Sequence, residues 1–170
     1  DGIGVTLSRG KNMQNIVNQF PPGEIDAFFT TCSTSGGYIV FPANKIDNKM
    51  TINGARGCHP RIKDRFDLTL ECIRLHYANE DNPLGETLNR YSEFFGLFQN
   101  FEGYVDFFLL QELVASNYSL IKFCLPFESF NNPPLPRDVH EYRRYIDKMT
   151  DFILARNKRI LNYAKDKLQR

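Results

Sequence analysis

Apolar residues recur at helical spacing over most of this chain. Ile62, Phe66, Leu70, Ile73 and Tyr77 follow at intervals of four, four, three and four, which is one face of a helix. Pro60 suits its first position and the polar run 79–83 ends it. Residues 84–98 predict a second helix with Leu88, Tyr91, Phe95 and Phe98 inward. Residues 102–114 predict a third, apolar on nearly all sides and therefore central. From Asp138 onward, Tyr142, Tyr145, Ile146, Met149, Phe152, Ile153, Ile160 and Tyr163 mark one long amphipathic helix with a basic tail. Two shorter helices precede these. One spans 11–19; the other is opened by Pro22, buries Ile25, Phe28 and Phe29, and breaks at 33–37.

Strand-like patterns fill the gaps. Segments 38–41 and 50–52 read as the arms of a β-hairpin joined by an Asn- and Asp-rich connection. The apolar run 120–125 suits a buried strand joining it, and 131–136 is a proline-rich linker. Residues 1–10 read as a turn, a short strand and a turn. The predicted fold class is α+β: a small antiparallel sheet packed against a larger set of helices, with a long C-terminal helix.

The length of 170 residues fits a single domain, 1–170. Such a chain buries roughly 70% of its unfolded surface without needing disulfide or metal staples. Aromatic residues make up 14%, with 15 Phe, 8 Tyr and no Trp, which predicts a Phe-rich core. Net charge is only +1, so any attraction for an anion must be local. Cys32, Cys58, Cys72 and Cys124 are widely spaced, contain no CxxC pair, and read as reduced thiols of a cytoplasmic protein. No apolar run reaches the roughly 20 residues a spanning helix requires.

The chemistry concentrates between Thr51 and Asp67. Glycines at 54 and 57 permit tight turns, and the segment carries Arg56, His59, Arg61, Lys63 and Arg65 to the start of the 60–77 helix. Clustered cations beside free helix-start amides make a place for phosphate. On this reading Arg56, Arg61, Lys63 and Arg65 bind ligand. His59 is the candidate acid or base of a metal-independent ribonuclease. Surface ion pairing competes with it, because Asp64, Asp67 and Glu71 lie close enough to pair with neighbouring cations. The same three carboxylates share a helix face that could hold Mg²⁺, but structural pairing accounts for them better. Cys72 and His76 stand four apart, as two zinc ligands can, yet no zinc module matches and Cys72 reads as a buried hydrophobe. Cys58, beside His59, is the one thiol placed for nucleophilic chemistry. Nucleotide-loop and nucleophile-elbow motifs are absent from the sequence.

Several strings look familiar: Gly36-Gly-Tyr-Ile-Val-Phe-Pro42, Thr51-Ile-Asn-Gly-Ala-Arg-Gly57 and Arg61-Ile-Lys-Asp-Arg-Phe-Asp-Leu-Thr-Leu-Glu-Cys-Ile-Arg-Leu-His-Tyr77. Tyr91-Ser-Glu-Phe-Phe95, Gly103-Tyr-Val-Asp-Phe-Phe-Leu-Leu-Gln111 and Phe152-Ile-Leu-Ala-Arg-Asn-Lys-Arg159 belong with them. Together they resemble an uncharacterised bacterial family of unknown function. The resemblance covers most of the chain from about Gly36 and implies a soluble bacterial protein whose relatives extend further at the N-terminus. It carries no activity, cofactor or catalytic residue.

These readings converge on a protein that binds a phosphate-bearing ligand, nucleic acid or nucleotide, at the 56–65 turn. No metal or cofactor and no membrane contact are expected. The competing expectation is a non-enzymatic interaction or homo-oligomerisation module built on the long C-terminal helix.

Overall fold

A computed structural model describes residues 11–168, so the turn–strand–turn expected over 1–10 lies outside the described residues. The chain runs through α1 (Lys11–Val17), α2 (Glu24–Cys32), α3 (Ile52–Cys58), α4 (Phe66–Tyr77), α5 (Gly85–Arg90), α6 (Ser92–Gly96), α7 (Phe101–Phe107) and α8 (Val139–Leu168). Single 3₁₀ turns sit at Ser35–Gly37 and Gln111–Leu113.

The α+β expectation is overturned, because the protein is helical and no sheet forms among the described residues. The sole β-type pairing there is one antiparallel bridge between Val114 and Ile121. Side chains take the carbonyls that a hairpin would have used. Arg156 Nη1 donates to Gly36 O and Tyr38 O at 2.9 and 2.6 Å. Tyr91 Oη donates to Asn44 O at 2.8 Å, and Arg90 Nη2 to Met50 O at 3.0 Å. Backbone groups need partners but not necessarily a ladder. At the expected second arm, the Thr51 hydroxyl accepts from Gly54 N at 3.2 Å and caps α3 instead. Ile52, the first residue of α3, is fully buried.

Helix boundaries also move. The 60–77 helix begins only at Phe66, because Lys63 and Asp64 adopt positive φ (49° and 62°) and hold 59–65 as a closed turn. Ile62 still buries its side chain, so the four-residue spacing reads burial correctly across non-helical backbone. The 84–98 helix divides into α5 and α6. The 102–114 helix stops at Phe107, where Leu109 at φ 55° turns the chain and Leu110 N donates back to Val105 O. It is not apolar-buried all round, since Phe107 is 69% exposed.

The long C-terminal helix is present as α8. It packs on α1, α2 and both 3₁₀ turns, while α4 packs on α5 and α7. Its closest approach is at Gly36. A Cβ there would stand 2.4 Å from Ile153 O, and Gly36 N donates to Asn157 Oδ1 at 2.7 Å. Tyr142, Tyr145, Met149, Phe152 and Ile153 enter the core beside Phe66, Leu70 and Tyr104. The core is aromatic throughout, with edge-on pairs such as Phe66–Phe152 at 5.1 Å between ring centres. All four cysteines are free thiols. No described helix is long and apolar enough to cross a membrane.

Candidate functional site

The 56–67 segment folds around two buried ion pairs. Arg56, on α3, points inward at 5% exposure. Its Nη1 pairs with the Asp64 carboxylate, its Nη2 donates to Asp64 O at 2.9 Å, and its Nε donates to Thr69 Oγ1 at 2.9 Å. Asp64 N returns a bond to Arg56 O at 3.0 Å, so the two residues lock the ends of the turn to one another. Burial pulls the Arg56 guanidinium pKa down, and the Asp64 charge works against that fall.

Arg65 is buried more deeply, at 2% exposure, and Asp67 completely. The pair is two-pronged: Nε donates to Asp67 Oδ1 at 3.0 Å and Nη2 to Oδ2, while Nη1 reaches Pro134 O at 2.8 Å. Asp67 also accepts from Leu68 N at 3.0 Å and Cys124 N at 2.8 Å. It therefore fastens the start of α4 to the chain near Pro134 and Cys124. Burial lowers the Arg65 pKa, and Asp67 more than restores it. A helix start attracts an anion, and here the protein's own Asp67 supplies it.

The four predicted ligand-binding residues and the candidate catalytic His59 therefore divide. Arg56 and Arg65 face the interior and are spent on Asp64 and Asp67. His59, Arg61 and Lys63 remain on the outside of the same turn, with Arg61 exposed and the other two half-buried. Arg61 and Lys63 form no ion pair among the described residues. His59 Nδ1 accepts from Arg61 N at 3.2 Å, so the neutral ring carries its proton on Nε2. Partial burial, then the Arg61 charge, lower the His59 pKa below 6.5. At neutral pH the ring is therefore uncharged and has its hydrogen-bond donor at Nε2.

The carboxylates weighed for Mg²⁺ are each matched to an arginine: Asp64 to Arg56, Asp67 to Arg65, and Glu71 to Arg74 at 2.8 Å. No group of three or more His, Cys, Asp or Glu side chains is arranged for a metal among the described residues. Cys72 is buried, and its thiol pKa is pushed far up by desolvation. Cys58 is exposed. A recess of about 290 Å³ beside His76 is rimmed by Glu80, Asp81 and Glu86, which repel rather than attract phosphate.

One structural cation escaped the sequence reading. Arg156 looked like part of a basic tail, yet it is 5% exposed and binds three carbonyls, those of Phe108, Gly36 and Tyr38. Tyr145, Met149, Phe152 and Arg156 follow one another at intervals of four, three and four, which places Arg156 on the buried face of α8. Burial lowers its pKa to about 10. The strings that carried the family resemblance meet here: Gly36, Arg56, Arg65, Tyr104 and Arg156 all belong to them and all lie inside.

No curated protein and no solved structure matches this chain. A family model does, over residues 1–160: the family of unknown function DUF6994, to which this chain belongs.

Proposed function

We propose that this protein binds a phosphate-bearing ligand, nucleic acid or nucleotide, at the outer edge of the 59–63 turn. Arg61 and Lys63 contact phosphate, and His59 donates from Nε2. Arg56 and Arg65 serve this edge from beneath by holding the backbone that displays it. The observation that carries the reading is the division of charge within one turn. The inward cations are matched one to one with carboxylates, whereas Arg61 and Lys63 have none among the described residues. A fixed backbone lowers the ordering cost of binding.

Binding fits the histidine better than cleavage does. A general base needs an accessible lone pair. The lone pair of His59 is held by Arg61 N–H, and the accessible nitrogen already carries a proton.

The test is a salt series with mixed short RNA, single-stranded DNA and duplex DNA, comparing the wild type with Arg61→Ala/Lys63→Ala. Affinity should fall as salt rises. The double variant should weaken binding and flatten the log–log salt slope by about 2, roughly one per lost phosphate contact. Absence of binding at low salt overturns the reading. RNA cleavage in EDTA that disappears in His59→Ala would show the histidine to be catalytic.

One observation favours a different reading, an interaction module. The last turns of α8 stand clear of the body, and Leu154, Leu161 and Leu168 are exposed at seven-residue intervals. The row beside them, Lys158 and Lys165, is cationic. A concentration-dependent dimer by light scattering, lost in Leu161→Asp, would support it. Phe152 is buried, so changing it would test folding instead.

A further inference from the structure

An open groove of about 510 Å³ runs between the outer side of α8 and the chain from Leu113 to Cys124. It belongs neither to the 59–63 turn nor to the exposed tip of α8. Leu113 and Phe152 form a buried apolar floor, with Ala155 beside them and Phe123 as a wall. Lys122 and Lys148 stand at its edge. Lys148 Nζ donates to Phe123 O at 3.2 Å, which draws its ammonium group against the wall. Neither lysine forms an ion pair among the described residues.

Two carboxylates also line the groove. Glu112 Oε1 is taken by Arg159, whereas Glu112 Oε2 is buried and has no donor among the described residues. Asp151 is solvent-exposed one turn beyond Lys148. A second hollow of about 540 Å³ shares Glu112 and Ala155 and continues toward Tyr163, so a long ligand has room to extend.

The geometry points to a binding site for an amphipathic anion. The apolar body lies on Phe152 and Ala155, and the anionic head meets Lys122 and Lys148. The volume lies within the roughly 300–1,000 Å³ of small-molecule sites, which combine an apolar lining with a few placed polar groups. Cys124 adds no charge, since burial pushes its thiol pKa well up.

The chain contains no tryptophan, so Phe123→Trp places a single reporter in the wall. Its emission is titrated with 3-hydroxydecanoate, decanoate and decanol below their aggregation limits, and calorimetry on the wild type repeats each titration. Both acids should bind more tightly than the alcohol. Lys122→Ala/Lys148→Ala should weaken the two acids by roughly tenfold or more, as expected for losing charge-assisted hydrogen bonds, and leave decanol unchanged. Ala155→Phe, which fills the floor, should abolish all three. Arg61→Ala/Lys63→Ala should change none of them, which separates this site from the phosphate-binding turn. Silence in both titrations, decanol matching decanoate, or loss of binding in the turn variant would each overturn the proposal.

Discussion

Asp67→Asn isolates the charge of the most buried ion pair while preserving its shape. Asp67 has no solvent exposure and accepts four hydrogen bonds, from Arg65 Nε, Arg65 Nη2, Leu68 N and Cys124 N. An asparagine can keep the two that reach Oδ1. Its amide nitrogen would then confront two donors, Arg65 Nη2 and Cys124 N, and leave the Arg65 guanidinium buried without a counter-charge. Stranding one partner of a buried pair costs about 3–5 kcal/mol. A domain of this size is stable by only about 5–15 kcal/mol. At about 2–4 °C per kcal/mol, the melting temperature should fall by roughly 6–20 °C. Urea denaturation followed by circular dichroism gives the free energy directly, and thermal melts give the shift. Arg65→Met/Asp67→Leu removes the stranded charge but leaves Leu68 N, Cys124 N and Pro134 O without these partners, so it should recover only part of the loss. Arg61→Ala, an exposed cation of the same turn, should stay within about 0.5 kcal/mol of the wild type. A loss below about 1 kcal/mol for Asp67→Asn would refute the argument, since it would mean that water already solvates the pair.

Two further outcomes follow from the packing and from the histidines. Gly36→Ala forces a methyl group to within 2.4 Å of the Ile153 carbonyl, so it should cost about 1–3 kcal/mol or more and loosen α8, read by hydrogen exchange at Asn157 and Arg156. Burial lowers the pKa of both His59 and His76 below 6.5, so the unfolded chain takes up protons first. Their contribution to stability is therefore complete above pH 6.5 and is lost as pH falls through the folded values. Urea midpoints across this range should decline less steeply for His76→Gln than for the wild type. Parallel profiles would remove His76 from the account.

Legibility in the sequence depended on whether a residue's partner lay at a regular interval. The apolar face of α8 repeats every three or four residues and was readable from Tyr142 to Ile153, whereas Ile160 and Tyr163 continue the pattern on turns that stand clear of the core. The face of α4 was readable even where Ile62 sits in a turn, because burial sets the pattern and helical backbone only usually delivers it. The hairpin was misjudged for the complementary reason. The segment 38–50 predicts that backbone groups need partners, but not that Tyr38, Asn44 and Met50 will find them in Arg156, Tyr91 and Arg90, distant in sequence.

The residues of the candidate site divide on the same ground. Arg56 and Asp64 are eight residues apart, and Arg65 and Asp67 two, neither a helical neighbour spacing. Interval rules therefore did not assign these two pairs, whose four charges are all buried. Backbone at Lys63 and Asp64 with positive φ makes those pairings reachable, and Asp64 N–H to Arg56 O closes the turn. The same reversal that turns Arg56 and Arg65 inward turns Arg61 and Lys63 outward. A dense cationic string is thus two sets of residues with opposite roles, and only the set that folding leaves unpaired is available to a ligand.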